Sequence, residues 1–379
     1  MTGDWLPRLL VVVIVAGTVP GCEHLPFGQK QAANTDLEDF DDLDENESDP
    51  DGLSEDDRDE AVAAGEFSLK LEKGRRFPLL KTVEQRITQS QPSGTTVGYS
   101  KLELMLSLVV EEARGDDRRL RVQYHRVRFA QDLGGQLVEY NSETPGTAIP
   151  TEALAYAGLK DNGFSFWLGS DNRVKDLVGF PEFLERCLQA VPAEQRMAVS
   201  KQLQAMRSED GLANFVDDSI GLLPHPSGKE ESARMMQVGS TWDVTQRGGA
   251  SMPASTTRCK LTNLDAKSAE IALAGSIGPS SYLDELNRVR LQVRGGGCSG
   301  NCTVDRESGM PTKSRVERFL DMVCEMQDGS QINQRKEVVT TITAFLEQGA
   351  HPPVVDRASN DRGSRQATDE SRPRRPRPL

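Results

Sequence analysis

Aromatic residues make up only 5% of this 379-residue chain and hydrophobic residues 36%. That scarcity excludes a large multi-domain core, and the length leaves one large domain or two small ones at roughly 100–200 residues each. Apolar runs are equally scarce. The one present, residues 9–15, lies near the N-terminus, which excludes a polytopic membrane protein. Histidine occurs four times, as His24, His125, His225 and His351. No HExxH, Gly-x-Ser-x-Gly, phosphate loop or dinucleotide fingerprint occurs. Pairs of carboxylates can be found in any acidic chain, and none here has a distinctive context. The sequence therefore names no catalytic residue, no metal ligand set and no cofactor, and it predicts a protein that is not an enzyme.

A basic surface is missing too. The net charge of -13 is concentrated in residues 36–60, where fifteen acids face the single cation Arg58. The tail 356–379 has seven arginines against four acids, and the central 61–355 is left near neutral at -2. The low isoelectric point thus belongs to one segment, and nothing in the body suits nucleic acid.

Residues 9–15 are too short to cross a bilayer, which needs about 20 residues, and suit the apolar part of a signal peptide at 1–21. Gly21-Cys22 after this run resembles the bacterial lipoprotein signal, in which the cysteine is lipidated and becomes the new N-terminus. Pro20 departs from that pattern, so ordinary secretion and an uncleaved anchor stay open beside lipidation at Cys22. Residues 22–65 then read as a lipidated cysteine and a disordered acidic linker, self-repelling and too poor in apolar residues to offset chain entropy. A calcium loop is the sharper reading of Glu47, Asp49, Asp51 and Gly52. It fails at its twelfth position, where Arg58 stands in place of a bidentate Glu. Residues 351–379 form a disordered Arg/Pro-rich tail.

Residues 66–350 alternate mostly with period two. Leu102, Leu104, Leu106, Leu108 and Val110 give a strand with one buried face; Leu120, Val122 and Tyr124 give the next. The phase slips at His125-Arg126, which predicts a bulge. Phe164, Phe166 and Leu168 mark another strand. Helical spacing takes over at 181–222: Phe183, Leu184, Cys187 and Leu188 share a face, and Met197, Val199 and Leu203 follow after Pro192. Strands return from Trp242, with a hairpin near 263–267 and the strongest hairpin signal at Asp328-Gly329. Gly295-Gly296-Gly297 reads as a flexible hairpin corner. The fold class is α+β, mostly β: a long antiparallel curved sheet or open barrel with a helical insert at about 181–222.

Beyond Cys22 the cysteines are Cys187, Cys259, Cys298, Cys302 and Cys324. In an exported protein some should pair. Cys298 and Cys302 would be about 13 Å apart in an extended strand, whereas a disulfide needs Cα atoms within roughly 7 Å. Their expected bridge requires Ser299-Gly300-Asn301 to make a tight turn.

Several segments carry a family resemblance by their order: Leu71-Glu72-Lys73-Gly74, Gly134-Gly135 before Glu139-Tyr140-Asn141-Ser142, Val238-Gly239-Ser240-Thr241-Trp242, Val304 through Pro311, and Lys336-Glu337-Val338-Val339-Thr340. Together they resemble domain-of-unknown-function family 6263, an uncharacterised bacterial family of exported proteins, across most of 66–348. The resemblance implies export and a β-rich body and supplies no catalytic residue. The layout is also similar to periplasmic lipoprotein carriers, whose curved sheet and helices enclose an apolar cavity.

The expected protein is an exported lipoprotein of the cell envelope, held to the membrane by a lipid anchor and binding an apolar ligand or an envelope protein. For a carrier, Leu102, Leu104, Leu106, Phe164, Phe166 and Trp242 are the candidate cavity lining. A packed scaffold or interaction module is the alternative, and an unrecognised hydrolase or redox protein the outlying one.

Overall fold

The structure, a computed structural model, describes residues 65–345 apart from 67–68, 92–93, 145–147, 190, 205–215, 217, 225–234, 247–252 and 285–288. The expected signal peptide, Cys22, the acidic linker and the tail lie outside the described residues.

The first strands are β1 (Gly65–Glu66), β2 (Arg76–Gln91), β3 (Gly94–Arg114), β4 (Asp117–Leu133) and β5 (Gln136–Asn141). A short helix α1 (Leu154–Ala157) leads to β6 (Gly163–Leu168) and β7 (Val174–Val178). Helices α2 (Phe180–Leu188) and α3 (Arg196–Gln204) follow, then a 3-10 turn at Ile220–Leu222. The second group of strands is β8 (Met235–Met236), β9 (Thr241–Gln246), β10 (Ser255–Leu264) and β11 (Ser268–Ile277). It ends with β12 (Ser280–Asp284), β13 (Val289–Asp305), β14 (Pro311–Glu325) and β15 (Gln331–Ala344).

Thirteen strands form one sheet in the order β7-β6-β4-β3-β2-β15-β14-β13-β11-β10-β9, with β5 added on β4 and β12 on β13. The pairing of β15 with β2 joins the early and late strands over Asn333↔Ser90 to Ala344↔Leu79. The two groups of strands are thus halves of one mostly β, antiparallel, open assembly. Its outermost strands approach each other: Arg173, beside β7, donates from Nη2 to the Thr245 carbonyl of β9 at 2.8 Å. The sheet curves so that this one side chain reaches from edge to edge, and the face that carries the buried apolar clusters is its inner, enclosed one.

Turn chemistry fixes the hairpins. Gly115 at φ 59° turns β3 into β4, and Gly329 at φ 79° turns β14 into β15; left-handed backbone costs glycine least. The expected bulge is present, since Met105 pairs with Arg126 and Leu106 with Tyr124, leaving His125 as the extra residue. The glycine run behaves differently from its expectation. Gly295-Gly296-Gly297 lies inside β13, which bulges between Val293 and Gly295 and then continues to Asp305. Flanking strands on both sides, β11 and β14, hold the run extended by their hydrogen bonds. Residues 69–72, by contrast, lie outside any strand.

The expected bridge between Cys298 and Cys302 is corrected by the same continuity. Both sit in β13, paired to Arg318 and Ser314 on one side and to Gly275 and Ile271 on the other. No turn brings them together, and five separate buried thiols result at Cys187, Cys259, Cys298, Cys302 and Cys324.

Helices α2 and α3 lie on the enclosed face. Phe180, Phe183 and Cys187 of α2 and Val199 and Leu203 of α3 join Leu104, Leu106, Leu108, Val122 and Phe166 in the largest apolar cluster. Met197, expected among the apolar positions, is 74% exposed. A second cluster holds Cys259, Leu261, Ile271, Leu273, Cys302 and Val316. The third, at the opposite end of β13 and β14, holds Val289, Leu291, Met322 and Cys324.

Candidate functional site

Alternation along the strands sorts the side chains into two faces. On the enclosed face, cross-strand partners form rows. Near α2 the rows are apolar: Phe77, Leu108 and Val122, then Leu79, Leu106 and Tyr124. Five of the six expected lining residues are here. Leu104, Leu106, Phe164 and Phe166 are buried in the first cluster, with Leu102 half-buried against it. Phe164 meets the rings of Phe180 and Phe183 at centroid distances of 5.1 and 5.0 Å, so α2 fills the space over it. Trp242 is elsewhere, packing against the second cluster and donating from Nε1 to the Leu222 carbonyl at 3.0 Å.

Away from the helices the enclosed face changes character. Val83, Leu102 and Phe129 form one row, and Ile87, Gly98 and Leu133 another. Between them lies a polar row of Gln85, Ser100 and Gln131. Gln131 is 2% exposed, yet neither its amide oxygen nor its nitrogen has a hydrogen-bond partner, and the Gln85 amide oxygen is also buried without one. The next glutamine pair is satisfied: Gln89 Nε2 donates to Gln334 Oε1 at 3.2 Å, and Cys324 Sγ approaches the same oxygen at 3.3 Å. Lys336 lies on this face as the partner of Ile87 and Leu320. Burial pushes its ammonium down to about 8. Arg318 pairs with the buried Asp218 carboxylate, and Ser314 Oγ donates to the Asp218 carbonyl, tying the segment before Ile220–Leu222 to β14.

The opposite face carries a groove of about 770 Å³. One wall is a row across five strands, Tyr99, Arg86, Glu337, Phe319 and Gly297, each paired with the next. The other wall is Glu84, Val339, Glu317 and Ser299. Tyr99 is 52% exposed and Phe319 37%. Arg86 lies 5.9 Å from the Tyr99 ring centre and Arg335 4.6 Å from that of Phe319, while Glu337 accepts ion pairs from both arginines. Phe319 leans over Gly297, where a Cβ would fall 2.8 Å from its ring. Tyr99, Arg86, Phe319 and Arg335 did not stand out in the sequence. The signal was there in the exposed positions of alternating strands, but only the register places them in one row.

Among the described residues His125 is the one histidine, and its partners decide whether it can act as acid or base. His125 Nε2 lies 2.9 Å from Ser107 Oγ and 3.2 Å from Arg76 Nη2. Burial, and then the Arg76 charge, hold the imidazole below its usual value. Arg76 can only donate, so Nε2 accepts, and Ser107 is 1% exposed. A nucleophile needs access to substrate, and this hydroxyl has none, so the pair acts as a structural hydrogen bond. Among the described residues no group of three or more His, Cys, Asp or Glu is placed to hold a metal. No described helix is long and apolar enough to cross a membrane.

No curated protein matches the chain. Among solved structures it is similar to a chain titled for lipid–protein interactions in lipovitellin, with a TM-score of 0.40 and 10% identity over 73% of this chain and 25% of that one. The chain thus spans about a quarter of that lipovitellin chain. It also aligns with OccK5 (OpdH) of Pseudomonas aeruginosa, at a TM-score of 0.19 and 8% identity over 73% of this chain and 100% of that one. A putative outer membrane lipoprotein-sorting protein domain from Vibrio parahaemolyticus gives 0.12 and 9% over 72% and 87%. At these scores the likeness carries no functional argument. The family model is decisive where the structures are not: residues 116–311, more than half of the chain, match it, and the chain belongs to DUF6263, a family of unknown function.

Proposed function

We propose that this is an exported, non-enzymatic binding protein of the cell envelope, tethered through Cys22, that carries an apolar ligand on the enclosed face of its sheet. The observation that carries this reading is the state of that face beyond the helices. Val83, Leu102, Leu133 and Leu320 point into it and are only half-buried. Each uncovered apolar side chain there forgoes part of the roughly 25 cal/mol per Å² that burial supplies, and a bound acyl or isoprenoid chain would recover it. The ligand's place is thus the strip from Val83 and Leu102 to Leu320 and Met322. Leu104, Leu106, Phe164 and Phe166 form the packed floor under α2, above that strip. The acidic segment 36–60 would hold the body away from the membrane by self-repulsion.

Native mass spectrometry of the full chain tests this. An additional mass in the lipid range, lost on denaturation, is the expected result. A bare protein mass, even after incubation with envelope lipids, overturns it.

The groove on the opposite face favours a second reading, an interaction module for an envelope protein. Exposed Tyr and Arg side chains are the types that dominate interface energetics, and Tyr99, Phe319, Arg86 and Arg335 are gathered in one groove. Tyr99→Ala with Phe319→Ala would abolish such an association and leave lipid binding on the far face intact.

A further inference from the structure

We propose, building on the carrier reading, that the cargo is an amphiphile whose uncharged hydrogen-bonding linkage (ester, amide or hydroxyl) sits on the row of Gln131, Ser100 and Gln85. A purely apolar cargo would not explain this row. It crosses a face that is apolar on both sides, with Val83, Leu102 and Phe129 above and Ile87 and Leu133 below. Buried amides are almost always hydrogen-bonded, because an unpaired one forfeits its solvation without compensation. Both amide atoms of Gln131 and the amide oxygen of Gln85 are exceptions.

The neighbouring glutamines show that the fold can satisfy such groups, since Gln89 and Gln334 pair across β2 and β15. Gln85 and Gln131 are instead two strand spacings apart, about 10 Å, too far for their amides to meet. Ser100 lies between them with a hydroxyl that both donates and accepts. The three side chains together offer amide donors, amide acceptors and a hydroxyl over a span that matches a glycerol ester or an acyl amide. The apolar rows on either side supply the track for its chains.

The chemistry makes a paired prediction of opposite sign. Removing an unsatisfied buried amide relieves the empty protein, so Gln131→Leu raises its melting midpoint. The same change deprives the cargo of its partner. The test uses the full chain and a fluorescent apolar probe, N-phenyl-1-naphthylamine, displaced by monoolein or by 1-octadecene. In the wild type both displace the probe, monoolein at lower concentration. In Gln131→Leu, and in Gln85→Leu as the second variant, probe binding persists. The monoolein requirement rises about ten-fold, as expected for the loss of one or two neutral hydrogen bonds, and octadecene is unaffected. Unchanged monoolein displacement in both variants, with the probe still bound, overturns the head-group assignment and leaves the carrier standing. Failure of the wild type to bind probe or monoolein overturns the carrier reading itself. Equal weakening of monoolein and octadecene shows damage to the apolar track and likewise overturns the assignment.

Discussion

Thr257 Oγ1 and Cys298 Sγ lie 3.2 Å apart although their strands, β10 and β13, are not neighbours. Gly275 of β11 is paired to both, and its missing side chain lets them meet above it. A Cβ at Gly275 would fall 2.4 Å from the Thr256 carbonyl oxygen and 2.7 Å from Cys298 Sγ. The first of these atoms is backbone, so relief requires the sheet to move. Gly275→Val is therefore expected to cost about 1–3 kcal/mol, measured as a lower urea midpoint. A midpoint equal to wild type would mean that β11 can shift freely there.

Four of the five buried cysteines, Cys187, Cys259, Cys302 and Cys324, should be unreactive in the folded protein. Burial pushes the Cys187 and Cys302 thiols up to about 12 and Cys324 to about 11, and raises Cys259 as well. The thiolate is the reactive form. Iodoacetamide at pH 8 is expected to leave these four positions unlabelled in the native chain and to label them, together with Cys298, in urea without reductant. Peptides from Cys298 or Cys302 that label in urea only after reduction would contradict the unbroken course of β13.

Lys336 makes stability depend on pH in the alkaline range. Its folded value of about 8 lies below the ordinary 10.5. Between these limits the unfolded chain holds more protons than the folded one, so stability rises with pH across that window. Each unit of difference corresponds to about 1.4 kcal/mol, which makes the rise a few kcal/mol in order of magnitude. Lys336→Met should flatten it. Parallel stability curves for variant and wild type from pH 8 to 10.5 would rule the lysine out as its source.

Arg173 is expected to hold the seam of the open sheet. Its bond to the Thr245 carbonyl links the two outermost strands, whose backbones do not pair with each other. Arg173→Ala should speed amide hydrogen exchange in β7 and β9 by several-fold and leave β14 and β15, at the middle of the sheet, unchanged. Equal exchange at the edges before and after the substitution would locate the closure elsewhere.

The helical insert shows where sequence reasoning is strong. Phe183, Leu184, Cys187 and Leu188 fixed the position of α2 because a helix repeats every 3.6 residues and its apolar face is legible locally. The hairpin at Asp328-Gly329 was equally legible, since left-handed backbone favours glycine. The same reasoning failed at Gly295-Gly296-Gly297. Three glycines in a row are permissive alone, and only the hydrogen bonds from β11 and β14 make them a strand.

The sequence by itself determined which residues alternate, where the chain turns, and that its acidity belongs to one segment apart from the body. Those properties are local: they depend on backbone sterics and on side-chain spacing along a single strand or helix. The tertiary structure decided what no spacing encodes. It made Cys298 and Cys302 separate thiols, covered Phe164 and Phe166 with α2, and set Tyr99 and Phe319 in one groove. It also set Gln85, Ser100 and Gln131 in one row, unmatched by any protein partner at the Gln131 amide and the Gln85 oxygen. Each of these depends on register between strands distant in sequence, and register follows from how all the strands bury their apolar faces together.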